Sequence, residues 1–212
     1  MKWPELLRIV GEEPVFSSSL LKVGEVSQAR IEVQLARWVK AGRILSLRRG
    51  LYVLAEPYRK VVPHPFLLAN ILTRASYVSL QSALSYHGLI PEHVPVVTSV
   101  TTGRPGKTQT ALGIFMCRHV QHAMFYGFQK ALIASDQEAY IALPEKALLD
   151  VVYLIPGGDD SKFLCELRLQ NTEVMEPAIL TELVERSGKP KLKRALKVIL
   201  QLMKSEADYE EL

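Results

Sequence analysis

Three observations predict an α+β fold, with an N-terminal winged helix-turn-helix followed by a mixed α+β C-terminal domain. Ser27 to Leu54, SQARIEVQLARWVKAGRILSLRRGLYVL, reads as a helix that runs straight into a two-stranded hairpin with a basic tip. Glu56 to Pro65 contains Pro57, Pro63 and Pro65. Proline fixes φ and restricts the residue before it, so this stretch reads as a linker or an extended crossing. Beyond it the chain turns β-rich, with helices interspersed. The 212 residues then divide into domains 1-60 and 61-212.

The N-terminal elements follow in order. Trp3 to Val10 reads as a short helix with Pro4 in its first turn, where proline is tolerated. Phe16 to Lys22 reads as a second helix, opening near Ser17–Ser19. Ser27 to Ala41 reads as the third. Ser27 is its N-cap, because a serine hydroxyl accepts an orphan N–H of the first turn. Ile31, Leu35, Trp38 and Val39 fall at i, i+4, i+7 and i+8, one apolar face. Gly42 stands where the helix ends, since glycine adopts the left-handed conformation without a Cβ clash. Ile44–Leu47 and Leu51–Leu54 are short β-prone runs, and Arg48-Arg49-Gly50 marks the turn between them.

Charge distinguishes this segment from an ordinary solvated helix. Ser27–Leu54 holds six basic residues (Arg30, Arg37, Lys40, Arg43, Arg48, Arg49) against one acid, Glu32. Residues 1–60 carry 11 Lys/Arg and 6 Asp/Glu, a net +5; residues 61–212 carry 15 and 16, a net −1. An exposed helix usually mixes its signs, so the bias points to a polyanion. At 100° per residue, Arg30, Val33, Arg37 and Lys40 project away from the Ile31/Leu35/Trp38 face, with Gln34 beside them. Arginine bridges guanine O6/N7 or neutralises phosphate, and glutamine reads adenine. Arg30, Gln34 and Arg37 are therefore expected to face the major groove of double-stranded DNA. Arg48 and Arg49 are expected to reach phosphate or the minor groove from the hairpin. Ser27, Gln28, Lys40 and Arg43 are expected to position the module on the backbone.

In the C-terminal part, Phe66 to Arg74 reads as helical. Ser79 to His87 is a clearer helix, with Leu80, Ala83, Leu84 and His87 on one side and Gly88 as its stop. Strand character marks Val94–Thr101, Leu112–Val120, Ala123–Phe128, Ala131–Ala134 and Ala139–Ala142, with Ser135–Glu138 as a hairpin turn. Pro144 to Ile155 reads as a helix, with Glu145 near the positive end of its dipole and Ala147, Leu148, Val151 and Val152 buried. Pro156–Asp160 ends it. Two helices close the chain, Pro177–Ser187 and Pro190–Ser205.

Composition bounds the class. A hydrophobic content of 48% and a charged content of 23% are those of a globular protein. No apolar run approaches the roughly 18 residues of a membrane span, and MKWPELLRIV is too short and too mixed for a signal peptide. Two cysteines, Cys117 and Cys165, make no disulfide framework and read as reduced thiols in a cytoplasmic protein.

Four segments carry a resemblance. They are the module ending Arg49-Gly50-Leu51-Tyr52-Val53, the run Tyr77-Val78-Ser79-Leu80-Gln81-Ser82-Ala83-Leu84-Ser85-Tyr86-His87-Gly88-Leu89-Ile90-Pro91, the strand Val97-Thr98-Ser99-Val100-Thr101, and Pro144-Glu145-Lys146-Ala147-Leu148-Leu149-Asp150. Together they resemble the AbiEi-type antitoxins of bacterial type IV toxin–antitoxin systems, a family linked to abortive infection. The resemblance covers most of residues 1–155, and the second and fourth segments are the more specific. It implies an N-terminal domain that binds inverted repeats in its own promoter and represses it. It also implies a C-terminal domain that counters a nucleotidyltransferase-fold toxin encoded nearby, with no stable complex required. No cofactor and no membrane partner are expected, and the protein is not expected to be an enzyme.

Other constellations match a site motif only in part. Thr101–Thr108 imitates a phosphate-binding loop, but Thr101 stands where that motif needs glycine, and no helix follows. Cys117-Arg118-His119-Val120-Gln121-His122 suggests metal, yet on a strand His122 faces away from Cys117 and His119, and no second cluster completes a site. A nuclease centre on Asp136, Glu145 and Lys146 is the weaker alternative, because adjacent helical Glu and Lys point about 100° apart and do not easily share a metal. Glu145 is expected to stabilise its helix N-terminus and Asp150 to make a buried polar contact. The last helix carries Lys191, Lys193, Arg194, Lys197 and Lys204 around an apolar side, and reads as a packing helix or a basic surface. The alternative function is a stand-alone winged-helix regulator whose C-terminal domain senses a ligand or oligomerises.

Overall fold

The computed structural model describes residues 1–22 and 27–210, with side chains as far as Ser205. The protein is mixed α+β, with two sheets. It divides into two compact units: Met1–His64 with Gln109–Leu112, and Pro65–Thr108 with Gly113–Leu212. The principal break therefore falls at His64/Pro65, and the short Gln109–Leu112 excursion carried no local sequence signal.

The first unit comprises α1 (Trp3–Val10), β1 (Phe16–Ser17), a 3-10 turn (Ser18–Leu21), α2 (Gln28–Lys40), β2 (Ile44–Arg48) and β3 (Leu51–Leu54). The strands form a sheet in the order β1-β3-β2, all antiparallel. The helix expected over Phe16–Lys22 is replaced by a strand and a 3-10 turn. Phe16 pairs with Tyr52, their rings stack at 5.8 Å, and Ser18 N donates to Gly50 O at 2.9 Å. Three successive serines, two of them linked Oγ to Oγ, offer the backbone alternatives to a helix.

Helix α2 packs as its periodicity predicts. Ile31, Leu35 and Trp38 are buried with Leu6, Val10, Phe16, Leu21, Ile44 and Leu54 in one core. Val39 lies on the flank and is 36% exposed, so it is not part of the buried face. Ser27 has the extended backbone of a cap residue, but its hydroxyl makes no capping bond. Gly42 follows the cap residue Ala41 with φ +68°, the conformation glycine adopts freely. Trp3 packs α1 against α2 by an edge contact with Trp38 at 5.3 Å, and against the segment after β3 by an edge contact with Tyr58 at 4.9 Å.

The second unit comprises α3 (Pro65–Leu72), β4 (Ser76–Val78), α4 (Leu80–Tyr86), β5 (Val96–Thr101), β6 (Gly106–Thr110, its last two residues counted with the first unit), β7 (Gly113–His119), β8 (Phe128–Ala134), β9 (Gln137–Ala142), α5 (Pro144–Leu154), α6 (Ser161–Glu166), α7 (Pro177–Ser187) and α8 (Pro190–Glu210). The sheet runs β6-β7-β5-β4-β9-β8, with β5/β7 and β4/β9 parallel and β4/β5 and β8/β9 antiparallel. The strand expected over Ala123–Phe128 is instead a 3-10 turn, His122–Met124, leading to Gly127 at φ +71°. Its apolar residues misled the sequence reading because Met124 and Tyr126 are buried from a turn rather than from a pleat. Three elements carried too little signal. Strand β4 is three residues long and buried throughout. Strand β6, GKTQT, has no apolar alternation. Helix α6 is announced only by its cap, where the Asp160 carboxylate accepts from Lys162 N at 2.8 Å.

After α5 the chain turns sharply. A Cβ built on Gly158 would lie 2.6 Å from Val152 O and 2.9 Å from Val152 Cα. Backbone gives way poorly, so Gly158→Ala is expected to cost about 1–3 kcal/mol by overpacking. Thermal melting followed by circular dichroism checks this, and an unchanged Tm overturns it.

A buried polar cluster ties α5 to the sheet. Asp150 is 0% exposed, and its carboxylate accepts from Tyr77 Oη at 2.9 Å and Ser79 Oγ at 2.8 Å. It also pairs with Lys146, one turn earlier and 0% exposed. The Lys146 ammonium lies 5.6 and 5.2 Å from the Tyr77 and Tyr126 ring centroids. Ser79 is held in turn by Thr98, with Ser79 N donating to Thr98 O at 3.1 Å and Thr98 Oγ1 to Ser79 O at 2.7 Å. These bonds hold Leu80 at φ +59°, a left-handed conformation uncommon for leucine.

The cluster has a pH signature. Burial pushes the Tyr77 hydroxyl pKa far above its usual 10, reinforced by the Asp150 charge and hydrogen bond and then by Tyr126. Below about pH 10 both folded and unfolded chains keep the proton, so the full stability is present. Above it the unfolded chain releases a proton that folded Tyr77 retains, and stability falls. Urea unfolding at neutral and strongly alkaline pH is expected to show this loss, reduced in Tyr77→Phe. An identical alkaline loss in that variant would assign the effect elsewhere.

Candidate nucleic-acid interface

The face of α2 opposite the core is built by helical spacing. With Ile31, Leu35 and Trp38 turned inward, Ala29, Arg30, Val33 and Arg37 are exposed and Gln34 is half-buried. These five residues, with Met1 and Ile31, line one open groove of about 490 Å³. The three side chains expected to face bases, Arg30, Gln34 and Arg37, are thus brought together. Among the described residues, no ion pair involves Arg30, Arg37, Lys40 or Arg49. Their charge is therefore turned to solvent.

The hairpin β2–β3 presents Arg48 and Arg49, both exposed, at its turn. Gly50 at φ +77° makes the turn, and the register shifts between Ser46 and Arg48. Such a bulge re-aims the side chains beyond it.

Three of the expected backbone-positioning residues have partners within the unit or differ from a free contact. Gln28 Nε2 donates to Glu32 Oε1 at 3.2 Å and to Ser18 Oγ at 3.5 Å, so it also holds the one acid of α2. Arg43 is half-buried, its guanidinium 5.3 Å from the Trp3 ring centroid. Arg43 O accepts from Ala55 N at 3.0 Å, which joins the hairpin base. Ser27 is exposed, and its carbonyl accepts from Arg30 N and Ile31 N. Lys40 is exposed at the last turn of α2, where a cation complements the helix dipole. Sequence reasoning did not single out Ala29 and Met1 as lining the groove. Their signal is faint, a small residue and a flexible one beside a basic stripe.

The residues of the other constellations make contacts of their own. Thr101 Oγ1 donates to Ala75 O at 2.9 Å and accepts from Gly103 N at 3.1 Å, and the next element is strand β6 rather than a helix. Cys117 is buried and free, its thiol pKa raised by burial, while Cys165 is exposed and free. His119 Nδ1 lies 2.9 Å from Gly103 O, and His122 sits in the 3-10 turn rather than on the strand with Cys117. Among the described residues, no group of three or more His, Cys, Asp or Glu converges. Glu145 is 2% exposed and accepts from Glu176 N at 2.7 Å, so it anchors the start of α7. Lys146 points to Asp150, and Asp136 occupies the β8–β9 turn at φ +57°, so the three do not share a site. On α8, Lys191 Nζ donates to Tyr153 O at 3.4 Å and also to Ile155 O, and Arg194 pairs with Asp159 at 2.7 Å, which binds two of its five cations to the end of α5 and its turn.

No helix among the described residues is long and apolar enough to cross a membrane. No family model matches the chain, and no curated protein matches it.

Proposed function

We propose that the protein is a DNA-binding autorepressor that also acts as the antitoxin to a nucleotidyltransferase-type toxin encoded nearby. The observation that carries the DNA-binding half is the solvent-facing groove of α2, where Arg30, Gln34 and Arg37 converge beside Val33. The order of elements supports the same reading. Helix α1, strand β1, a short turn, α2 and the β2–β3 hairpin, with the sheet ordered β1-β3-β2, are the elements on which we base the winged helix-turn-helix reading. In that geometry α2 enters the major groove and the basic tip of the hairpin reaches the flanking backbone. The antitoxin half rests on the resemblance carried by Tyr77–Pro91 and Pro144–Asp150. The two segments meet in the buried Tyr77–Ser79–Lys146–Asp150 cluster, so they form one unit of architecture.

Two experiments test the halves separately. A duplex from the protein's own promoter, titrated by fluorescence anisotropy, is expected to bind at least about 10³-fold more tightly than a shuffled duplex at the same salt. Equal affinity for both removes the autorepressor reading. Growth of cells induced to express the adjacent open reading frame is expected to stop without this protein and to continue with it. Toxicity without rescue removes the antitoxin half and leaves the stand-alone regulator, which the basic groove supports by itself.

A further inference from the structure

On the DNA-binding reading above, we infer that Val33 reads a thymine methyl group within the recognised half-site. Val33 is 53% exposed on α2 and takes no part in the core built by Ile31, Leu35 and Trp38. A β-branched residue on an exposed helix face loses side-chain freedom and gains little from packing. Its position gives it other work. Arg30, Val33, Gln34 and Arg37 line the same groove. At 100° per residue they fall within an arc of about 100°. From Arg30 to Arg37 they span about 10 Å along the axis, the length of three base steps.

The chemistry of that set is specific. In the major groove only thymine presents a methyl group; guanine and adenine present acceptors or a donor–acceptor pair. Arg30 and Arg37 suit guanine, Gln34 suits adenine, and an isopropyl group suits only the thymine methyl. Lysine or serine at position 33 would add phosphate or indiscriminate hydrogen bonding. Valine adds discrimination by shape and dryness.

The test uses full-length protein and its own promoter duplex, with each thymine replaced singly by deoxyuridine, which removes the methyl and leaves every hydrogen-bonding group. Wild-type protein is expected to lose about three- to fivefold in affinity at one thymine per half-site, the value of one buried methyl group. Val33→Ala, a better helix former at an exposed site, is expected to bind the unmodified duplex with the same deficit and to be indifferent to deoxyuridine there. Val33→Thr, which keeps the branch and one methyl, is expected to fall between. Promoter binding that tolerates deoxyuridine at every position, or equal sensitivity in wild type and Val33→Ala, overturns the inference while leaving DNA binding intact. Failure to bind any promoter duplex overturns both.

Discussion

Asp150→Ala is expected to lower the free energy of unfolding by about 3–5 kcal/mol, the largest stability effect of any single change considered for this chain. The carboxylate is the common acceptor for three fully buried donors, Tyr77, Ser79 and Lys146. Removing it leaves an ammonium and two hydroxyls without their acceptor in a site with no access to water, and an unpaired buried charge costs far more than a lost neutral hydrogen bond. The aromatic rings of Tyr77 and Tyr126 around Lys146 soften that cost without replacing a carboxylate. Replacing the whole cluster, with Tyr77→Phe, Ser79→Ala, Lys146→Met and Asp150→Leu together, is expected to recover most of the loss, because no polar group is then stranded. Urea unfolding of both variants is the measurement. A loss below about 1 kcal/mol in Asp150→Ala would mean that Lys146 escapes to solvent.

The double substitution Arg30→Ala, Arg37→Ala is expected to weaken promoter binding by about 2–6 kcal/mol, roughly 30- to 2 × 10⁴-fold, if each arginine supplies one base contact. Both side chains are exposed on α2 and neither is held by an ion pair among the described residues, so the fold is expected to be unchanged. Arg49→Ala at the hairpin tip offers the contrast. A lost phosphate contact weakens all sequences alike and lowers the slope of log K against log salt by about one. Anisotropy titrations at several salt concentrations separate the two behaviours. Unchanged promoter affinity in the double variant would show that α2 presents a different face to DNA.

Much of the fold was legible because it is local. The 3.6-residue spacing of Ile31, Leu35 and Trp38 and the two short β-prone runs identified α2 and its hairpin. Proline at a helix start and glycine past a helix end located α5 and α7. The basic groove was legible for the same reason, since one helix turned at 100° per residue carries all its members. Phe16–Lys22 and Ala123–Phe128 were misread because their conformations answer to distant partners. Phe16 is drawn into a sheet by Tyr52, and Met124 and Tyr126 fill the core from a turn. Propensity is a weak prior wherever tertiary contacts compete with it.

The sequence by itself determined the α+β class, the helix–hairpin outline near the N-terminus and the surface on which positive charge collects. Those properties depend on neighbours within a few residues and on the sign of side chains. Only the tertiary structure decided what becomes of the buried charges. Asp150 meets Tyr77 and Ser79 across 73 and 71 residues of chain, and Glu145 reaches Glu176 across 31. A spacing rule pairs Lys146 with Asp150 on one helix face, but says nothing of whether that face is wet. Burial is a property of the packed whole, and it turns an ordinary i,i+4 pair into the anchor that joins α5 to the sheet.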